Sequence, residues 1–299
     1  MARIVVLGSA NLDLVVRQAR LPAPGETIAG SEFTTVPGGK GLNQAVAAAR
    51  AGADVAFLGA IGPDDVGARL RAQLEADGID TAGLREVDVA TGTAHIAVLD
   101  DGENAIVVVP GANADVTLTD ADRSAICAAD ALVLQLERPL ELVAAALAEA
   151  RAAGVATVLT PAPVQALPDD LLALVDVLVP NEHEAVQLAR VGDPEEAARV
   201  LSARGPRVLV TRGARGVLVA EGGAIVTSSP AFAADPVDTT AAGDTFVGGY
   251  VATRAEAGEA EAIRFGQAAA AIGVTRAGAS SSMPTRAEVD AFLASRATG

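Results

Sequence analysis

ALVLQLERPLELVAAALAEARAAGVATVL, residues Ala131–Leu159, sets two short apolar runs on either side of an alanine-rich stretch. The runs, Leu132–Leu134 and Ala156–Leu159, are continuous rather than alternating, as in strands buried on both faces of a parallel sheet. Between them Leu140, Val143, Ala144 and Leu147 recur at i, i+3, i+4 and i+7, which gives a helix over Leu140–Ala153 one apolar face. Gly154 supplies the stop.

The same unit recurs outward in both directions. Ile4–Leu7, Val55–Leu58, Val177–Val179 and Val208–Val210 are further apolar runs, and Asn43–Ala51 is a helical stretch that ends before Gly52. A chain of 299 residues has room for one large α/β domain or two small ones. Alternation over most of its length predicts a single α/β domain spanning 1–299, a doubly wound, mostly parallel sheet flanked by helices. Ligands of such sheets bind beyond the carboxyl ends of the strands.

Two stretches break the alternation. Asp13–Val36 contains Pro22, Pro24, Gly25 and Gly30 and has no helical period. Thr93–Pro110 reads as a hairpin around Asp100–Asn104 with a turn glycine, Gly102. Its first strand places His95, Ala97 and Leu99 on one face and Ala94, Ile96 and Val98 on the other. Such a hairpin is either a flap over a site or an extension of the sheet edge.

Composition narrows the function. Hydrophobic residues make up 51%, much of it alanine, and aromatics only 2%, so the layers pack with small and branched aliphatic side chains. A net charge of -16 repels phosphate backbones and anionic lipid, which speaks against nucleic-acid and membrane partners. It leaves room for a small anion held by backbone N–H groups. Cys127 is the single cysteine and His95 and His183 the two histidines, which excludes an intrachain disulfide and a cysteine or histidine-rich zinc site. Ile4–Leu7 is too short for a signal-peptide core, and the longest uncharged stretch, Ala152–Pro168, is broken by prolines; a cytosolic protein is expected.

Five places could carry chemistry. PGGKGLNQAVAAARAG (Pro37–Gly52) is either a plain glycine turn into a helix or a close backbone approach to a ligand; Lys40 and Asn43 favour a ligand with hydroxyls. It is not a P-loop, since Gly41 follows Lys40 and the spaced upstream glycine is missing. In GSANLDL (Gly8–Leu14), Asn11 and Asp13 share a face of an extended chain and suit vicinal hydroxyls, or form an Asx turn. Glu137 ends a buried strand, as a crevice residue or as a surface acid. In PNEHEA (Pro180–Ala185), Asn181 and Glu184 form a capping box or organise a hydrated divalent metal and phosphates, with His183 on the helix surface. In DTTAAGDTF (Asp238–Phe246), Ala241, Ala242 and Gly243 leave their N–H groups unshielded at a helix start, and Asp244 is either a capping acid or a base beside an anion hole.

In this order the stretches, with PAPGET (Pro22–Thr27), GENAIVVVPGANADV (Gly102–Val116), QLE (Gln135–Glu137) and TRGARG (Thr211–Gly216), resemble the ribokinase family of carbohydrate kinases, the PfkB superfamily, over nearly the whole chain. The resemblance implies ATP-dependent phosphorylation of a sugar hydroxyl, first of all the 5-hydroxyl of D-ribose. It implies sugar contacts at Asn11, Asp13, Gly39, Lys40, Asn43 and Glu137, and Asp244 as the base. Ala241, Ala242 and Gly243 become the anion hole. Nucleotide contacts fall on Asn181, Thr211, Arg212, Gly213, Ala214, Arg215, Gly216, Gly243 and Gln267. Magnesium is tied through water to Glu184, and potassium to Asp238, Thr240, Gly273, Arg276, Gly278 and Ser282.

The two irregular stretches, about 13–36 and 93–110, become a small β lid through which two copies pair into a homodimer. The chain departs from the family pattern at Thr160, where an asparagine opens Asn-Pro-Ala-Pro, and at Gln267, where a histidine is usual. Both departures bear on the nucleotide and neither on the proton chemistry. Other sugar or nucleoside kinases of the family, and a silent sugar-binding regulator, are the competing readings. A dehydrogenase is set aside because no G-x-G-x-x-G follows the first strand.

Overall fold

The apolar run that follows Met1-Ala2 is an interior strand of a nine-stranded sheet. The computed structural model describes residues 1–101 and 103–297; the hairpin glycine Gly102, like Thr298 and Gly299, lies outside the described residues. In chain order the strands are β1 (Arg3–Leu7), β2 (Asn11–Gln18), β3 (Glu32–Gly38), β4 (Asp54–Ile61), β5 (Leu84–Glu86), β6 (Gly92–Leu99), β7 (Asn104–Val109), β8 (Ala131–Leu134), β9 (Ala156–Leu159), β10 (Val177–Leu178), β11 (Arg207–Thr211), β12 (Val217–Glu221) and β13 (Ala224–Ser229). The helices are α1 (Lys40–Arg50), α2 (Asp65–Ala76), α3 (Asp120–Cys127), α4 (Leu140–Ala153), α5 (Asp169–Leu172), α6 (Glu182–Ala189), α7 (Pro194–Ser202), α8 (Ala242–Ala257), α9 (Glu259–Gly273) and α10 (Arg286–Ala297).

The main sheet has the order β13-β12-β11-β10-β9-β8-β1-β4-β5. Neighbours from β5 through β11 run parallel. The β12–β13 hairpin closes the far edge antiparallel, a feature outside the apolar runs read from the sequence. Side chains of β1 alternate between two cores. Ile4 and Val6 pack with α1, α2, α8 and α9, while Val5 and Leu7 pack with α3, α4, α6 and α7. Helices thus cover both faces, which is why the strands read as unbroken apolar runs. On α4 the buried row is Leu142, Val143, Ala146, Leu147 and Ala150. Leu140 and Ala144 sit at its rim, so the face is turned from the one expected; in an alanine-rich helix both rows look apolar.

The two irregular stretches form a separate four-stranded sheet, β3-β2-β6-β7, rather than an extension of the main edge. β2 pairs antiparallel with β3 and parallel with β6, and β6 pairs antiparallel with β7. The chain leaves β1 for this sheet and for β4 and β5, then crosses back to β8 on the other side of β1. The strand order therefore reverses between β1 and β8, and the crevice beyond their carboxyl ends is the expected ligand position. Among the described residues no helix is long and apolar enough to cross a membrane.

Candidate functional site

At the end of β1, Gly8 and Ser9 pass directly under the start of α1. A Cβ on Gly41 would lie 2.5 Å from Ser9 N and 2.6 Å from Gly8 Cα, so the two backbones can touch only because both turns are glycine. Gly39 has φ 92, and a Cβ there would sit 2.9 Å from Ser9 O. The buried Ser9 hydroxyl donates to Glu137 Oε2, and the same oxygen accepts the Lys40 N–H at 3.0 Å. Glu137 is thus no free surface acid. It closes the open end of α1 from beyond β8, with its second oxygen left for the crevice.

Asn11 and Asp13 stand two apart on β2 and share a face. Asn11 is buried, and its Oδ1 accepts from Asn113 Nδ2 at 2.8 Å. Asp13 lies against Gly38, where a Cβ would meet Asp13 Cγ at 2.6 Å. Burial, then the charges of Glu137 and Asp244, push the Asp13 carboxyl up to about 7. Burial alone would lower the Lys40 ammonium, but Asp244, Glu137 and Glu184 around it raise it.

Asp244 sits in the first turn of α8 and caps nothing. Side chains close the N-termini of α2, α3, α6 and α7, whereas α8 has no side-chain cap. Ala241 takes a left-handed conformation, φ 57, to open that turn, and a Cβ on Gly243 would meet nothing within 4 Å. The first amides of α8 therefore face the crevice with the positive end of the helix dipole. The Asp244 carboxylate turns instead to α1: Oδ1 accepts Gln44 Nε2 at 2.9 Å and Oδ2 accepts Asn43 Nδ2 at 3.3 Å. Burial raises its pKa; the charge of Lys40 and the Gln44 hydrogen bond oppose the rise, Glu137 adds to it and Asn43 opposes it. Asn43 Oδ1 is buried without a protein partner, as suits an atom that meets a ligand hydroxyl.

A second cluster lies beyond β10 and β11. Asn181 and Glu184 make the full capping box of α6: Asn181 Oδ1 accepts Glu184 N and Glu184 Oε2 accepts Asn181 N, both at 2.8 Å. The capping reading holds, and one Glu184 oxygen remains unspent. Thr211 N donates to Pro180 O at 2.9 Å, and Arg215 pairs with Glu182, so the turn Thr211–Gly216 lies against the start of α6. Arg212 reaches Ser228 Oγ at 2.7 Å, and Gln267 from α9 bonds Ser229 at both ends of its amide. His183 is exposed on α6.

A third cluster gathers Asp238, Thr240 and Gly278: Asp238 Oδ1 accepts from Thr240 N and Oγ1, and Oδ2 accepts Gly278 N at 2.9 Å. Burial would raise the Asp238 carboxyl, and these donors more than offset it. Gly273 faces Ser282 Oγ, 3.8 Å from where its Cβ would be. The Arg276 side chain points away to Glu288, which leaves only its backbone for this loop. Oxygen is the donor type of the whole set, and among the described residues no group of three or more His, Cys, Asp and Glu could hold a metal.

The residues that sequence reasoning left unassigned are Ser9, Gln44, Asn113 and Gln135, all buried polar groups. Each interrupts an otherwise apolar or glycine-rich stretch, and that was the available signal. Thr160 needs a correction. It is not confined to the nucleotide side, because its Oγ1 accepts from Gln44 Nε2 at 3.1 Å, the same nitrogen that holds Asp244.

The sequence profile of the pfkB family carbohydrate kinases matches residues 1–286. The chain is 44% identical over 302 residues to a ribokinase from Haemophilus influenzae, across 97% of this chain and 98% of that protein. Its backbone is similar to that of a ribokinase from Thermotoga maritima, with a TM-score of 0.91 and 37% identity over 98% of this chain and all of the other. An Arabidopsis thaliana ribokinase complexed with ribose and ATP matches with a TM-score of 0.91 and 32% identity, over 98% of each chain.

Proposed function

The chain belongs to the pfkB family of carbohydrate kinases, and from that premise we propose that it transfers the γ-phosphoryl group of ATP to the 5-hydroxyl of D-ribose. The observation that carries this reading is the buried Asp244 carboxylate at the uncapped start of α8, in a chain 44% identical to a ribokinase over nearly its full length.

Asn11, Asp13, Asn43, Glu137 and the Lys40 side chain hold the sugar hydroxyls, with Gly39 giving the backbone room to approach. The ribose 5-oxygen attacks the γ-phosphorus as its proton passes to Asp244; the new O–P bond forms, the bond to the bridging oxygen breaks, and ADP leaves. Burial raises the pKa of this carboxyl, which makes the carboxylate a stronger proton acceptor. Charge growing on the transferred oxygens meets the N–H groups of Ala241, Ala242 and Gly243.

Thr211, Arg212, Gly213, Ala214, Arg215, Gly216, Asn181 and Gln267 receive the nucleotide. The free oxygen of Glu184 would hold magnesium through water, and the metal would neutralise phosphate charge there. Potassium fits the oxygen-rich loop of Asp238, Thr240, Gly273, Arg276, Gly278 and Ser282, where it would stiffen the turn before α8. A second copy fits the lid: Phe33 on β3 and Val107 on β7, the two edge strands, are 62% and 65% exposed, and Ile106, Val108 and Val109 stand out beside them.

ADP release with ATP, magnesium and potassium across ribose, deoxyribose, fructose and adenosine tests the reading. Preference for ribose supports it. Preference for another acceptor keeps Asp244 and the anion hole but overturns the sugar pocket.

A further inference from the structure

Two amides hold Asp244, and they differ. Asn43 makes the longer bond, 3.3 Å to Oδ2, and still has an unpaired oxygen for a ligand. Gln44 makes the shorter bond, 2.9 Å to Oδ1, and is 1% exposed. A primary amide has two N–H donors and one carbonyl acceptor. Gln44 spends its Nε2 on Asp244 and, at 3.1 Å, on Thr160 Oγ1, while its Oε1 accepts Gln135 Nε2 at 2.6 Å. Both N–H donors are spent within the protein, and the oxygen is turned to Gln135.

The direction of this chain is set by the acid. A carboxylate only accepts, so Gln44 must turn its nitrogen to Asp244 and its oxygen to Gln135. Three segments converge there: α1 supplies Gln44, the end of β8 Gln135 and the end of β9 Thr160.

We propose that Gln44 is a positioning residue for the phosphoryl-transfer step: braced by Thr160 and Gln135, it pins Asp244 Oδ1 and so makes Oδ2 the oxygen that takes the proton. Asn43 yields Oδ2 to the incoming hydroxyl, because the 3.3 Å bond is the weaker one. The inference rests on the reading of Asp244 as base. It adds that Thr160, a departure from the family pattern, belongs to the proton chemistry through Gln44.

The charged groups that face Asp244 are Lys40 from α1, Glu137 from the end of β8 and Asp13 from β2. None of them is altered by a change at Gln44, so a shifted titration of Asp244 reports the lost donor.

The test compares wild type with Gln44→Met, which keeps the bulk and removes the donor, and with Thr160→Val, which removes the brace and keeps the shape. Steady-state kinetics with ribose and the pH profile of kcat/KM are recorded for all three. Losing a hydrogen bond to a charged group predicts a fall in kcat of about 10- to 100-fold for Gln44→Met. The KM for ribose should stay within about threefold, because Gln44 touches no sugar. The acid limb should move up by about one pH unit, since a donor to the ionised form has been removed. Thr160→Val should shift both quantities the same way by less.

An unchanged kcat, or a lower kcat with an unmoved acid limb, overturns the inference, the second outcome being that of a merely structural residue. If Gln44→Met does not fold, Thr160→Val decides by the same two criteria. A wild type that releases ADP with none of ribose, deoxyribose, fructose and adenosine removes the reading of Asp244 and this inference with it; an active variant pair with an unmoved limb, measured with whichever acceptor the wild type uses, removes this inference alone.

Discussion

Asn113 Nδ2 donates to Asn11 Oδ1 at 2.8 Å, joining residues 102 positions apart at the base of the lid. The same Asn113 side chain accepts Ala10 N and donates to Ala10 O, both at 3.1 Å, so it grips the chain entering β2 from the turn that follows β7. Asn11 then has its amide nitrogen turned to the crevice. Asn113→Ala leaves a buried N–H and an unoriented Asn11. We expect a KM for ribose raised about tenfold with kcat much less affected, and a stability loss of about 1–3 kcal/mol. Calorimetry and kinetics together check this; an unchanged KM would show that Asn113 does not orient a sugar contact.

Gly41→Ala isolates the glycine contact under α1. Alanine gains about 1 kcal/mol of helix propensity over glycine. Its Cβ would lie 2.5 Å from Ser9 N and 2.6 Å from Gly8 Cα, both backbone atoms that cannot swing aside. The net result should be a loss of about 2 kcal/mol or more, with the Ser9–Glu137 contact displaced. Denaturant unfolding measures it, and a stabilised variant would refute the geometry.

Asp13 links stability to pH. Its carboxyl titrates near 3.8 unfolded and at about 7 folded, so between these values the native state holds more protons than the unfolded state. Stability from this group therefore falls as pH rises from about 4 to about 7 and stays low above. Asp13→Asn carries no charge and should be the more stable protein above pH 7, by about 1 kcal/mol or more, with the gap closing towards pH 4. Its ribose affinity should drop. A stability gap independent of pH would contradict the assignment.

Asp238 is the test of the cation loop. Wild-type turnover should be faster in potassium than in lithium at equal ionic strength, and Asp238→Ala should lose most of that difference. A variant with an unaltered potassium response would remove the loop from this role.

The parallel strands were legible because strands covered on both faces show continuous apolar runs, as in Ile4–Leu7 and Ala156–Leu159. The edge strand β13 was not, because Ala224–Ser229 is mostly exposed and mixes Thr and Ser with Ile and Val. Candidate site residues were legible where they stand in dense motifs, as Lys40, Asn43 and Asp244 do. What the motifs hid was the division of labour between neighbours. Asn43 and Gln44 look alike in sequence, yet one keeps a buried oxygen without a partner and the other bonds Asp244, Thr160 and Gln135. Those partners lie 91, 116 and 200 residues away, and only the fold brings them together. The capping reading of Asp244 failed and that of Asn181 held for the same reason: each depended on which partner the carboxylate or amide meets.

The most direct test of the account is ribose-dependent ADP release by Asp244→Asn beside calorimetric binding of ribose to the same variant. Asparagine keeps the shape but cannot take a proton. The account predicts ribose binding within about tenfold of wild type and turnover lower by a factor of about 100 to 10,000. Turnover near that of wild type would contradict it and take Asp244 out of the role of base.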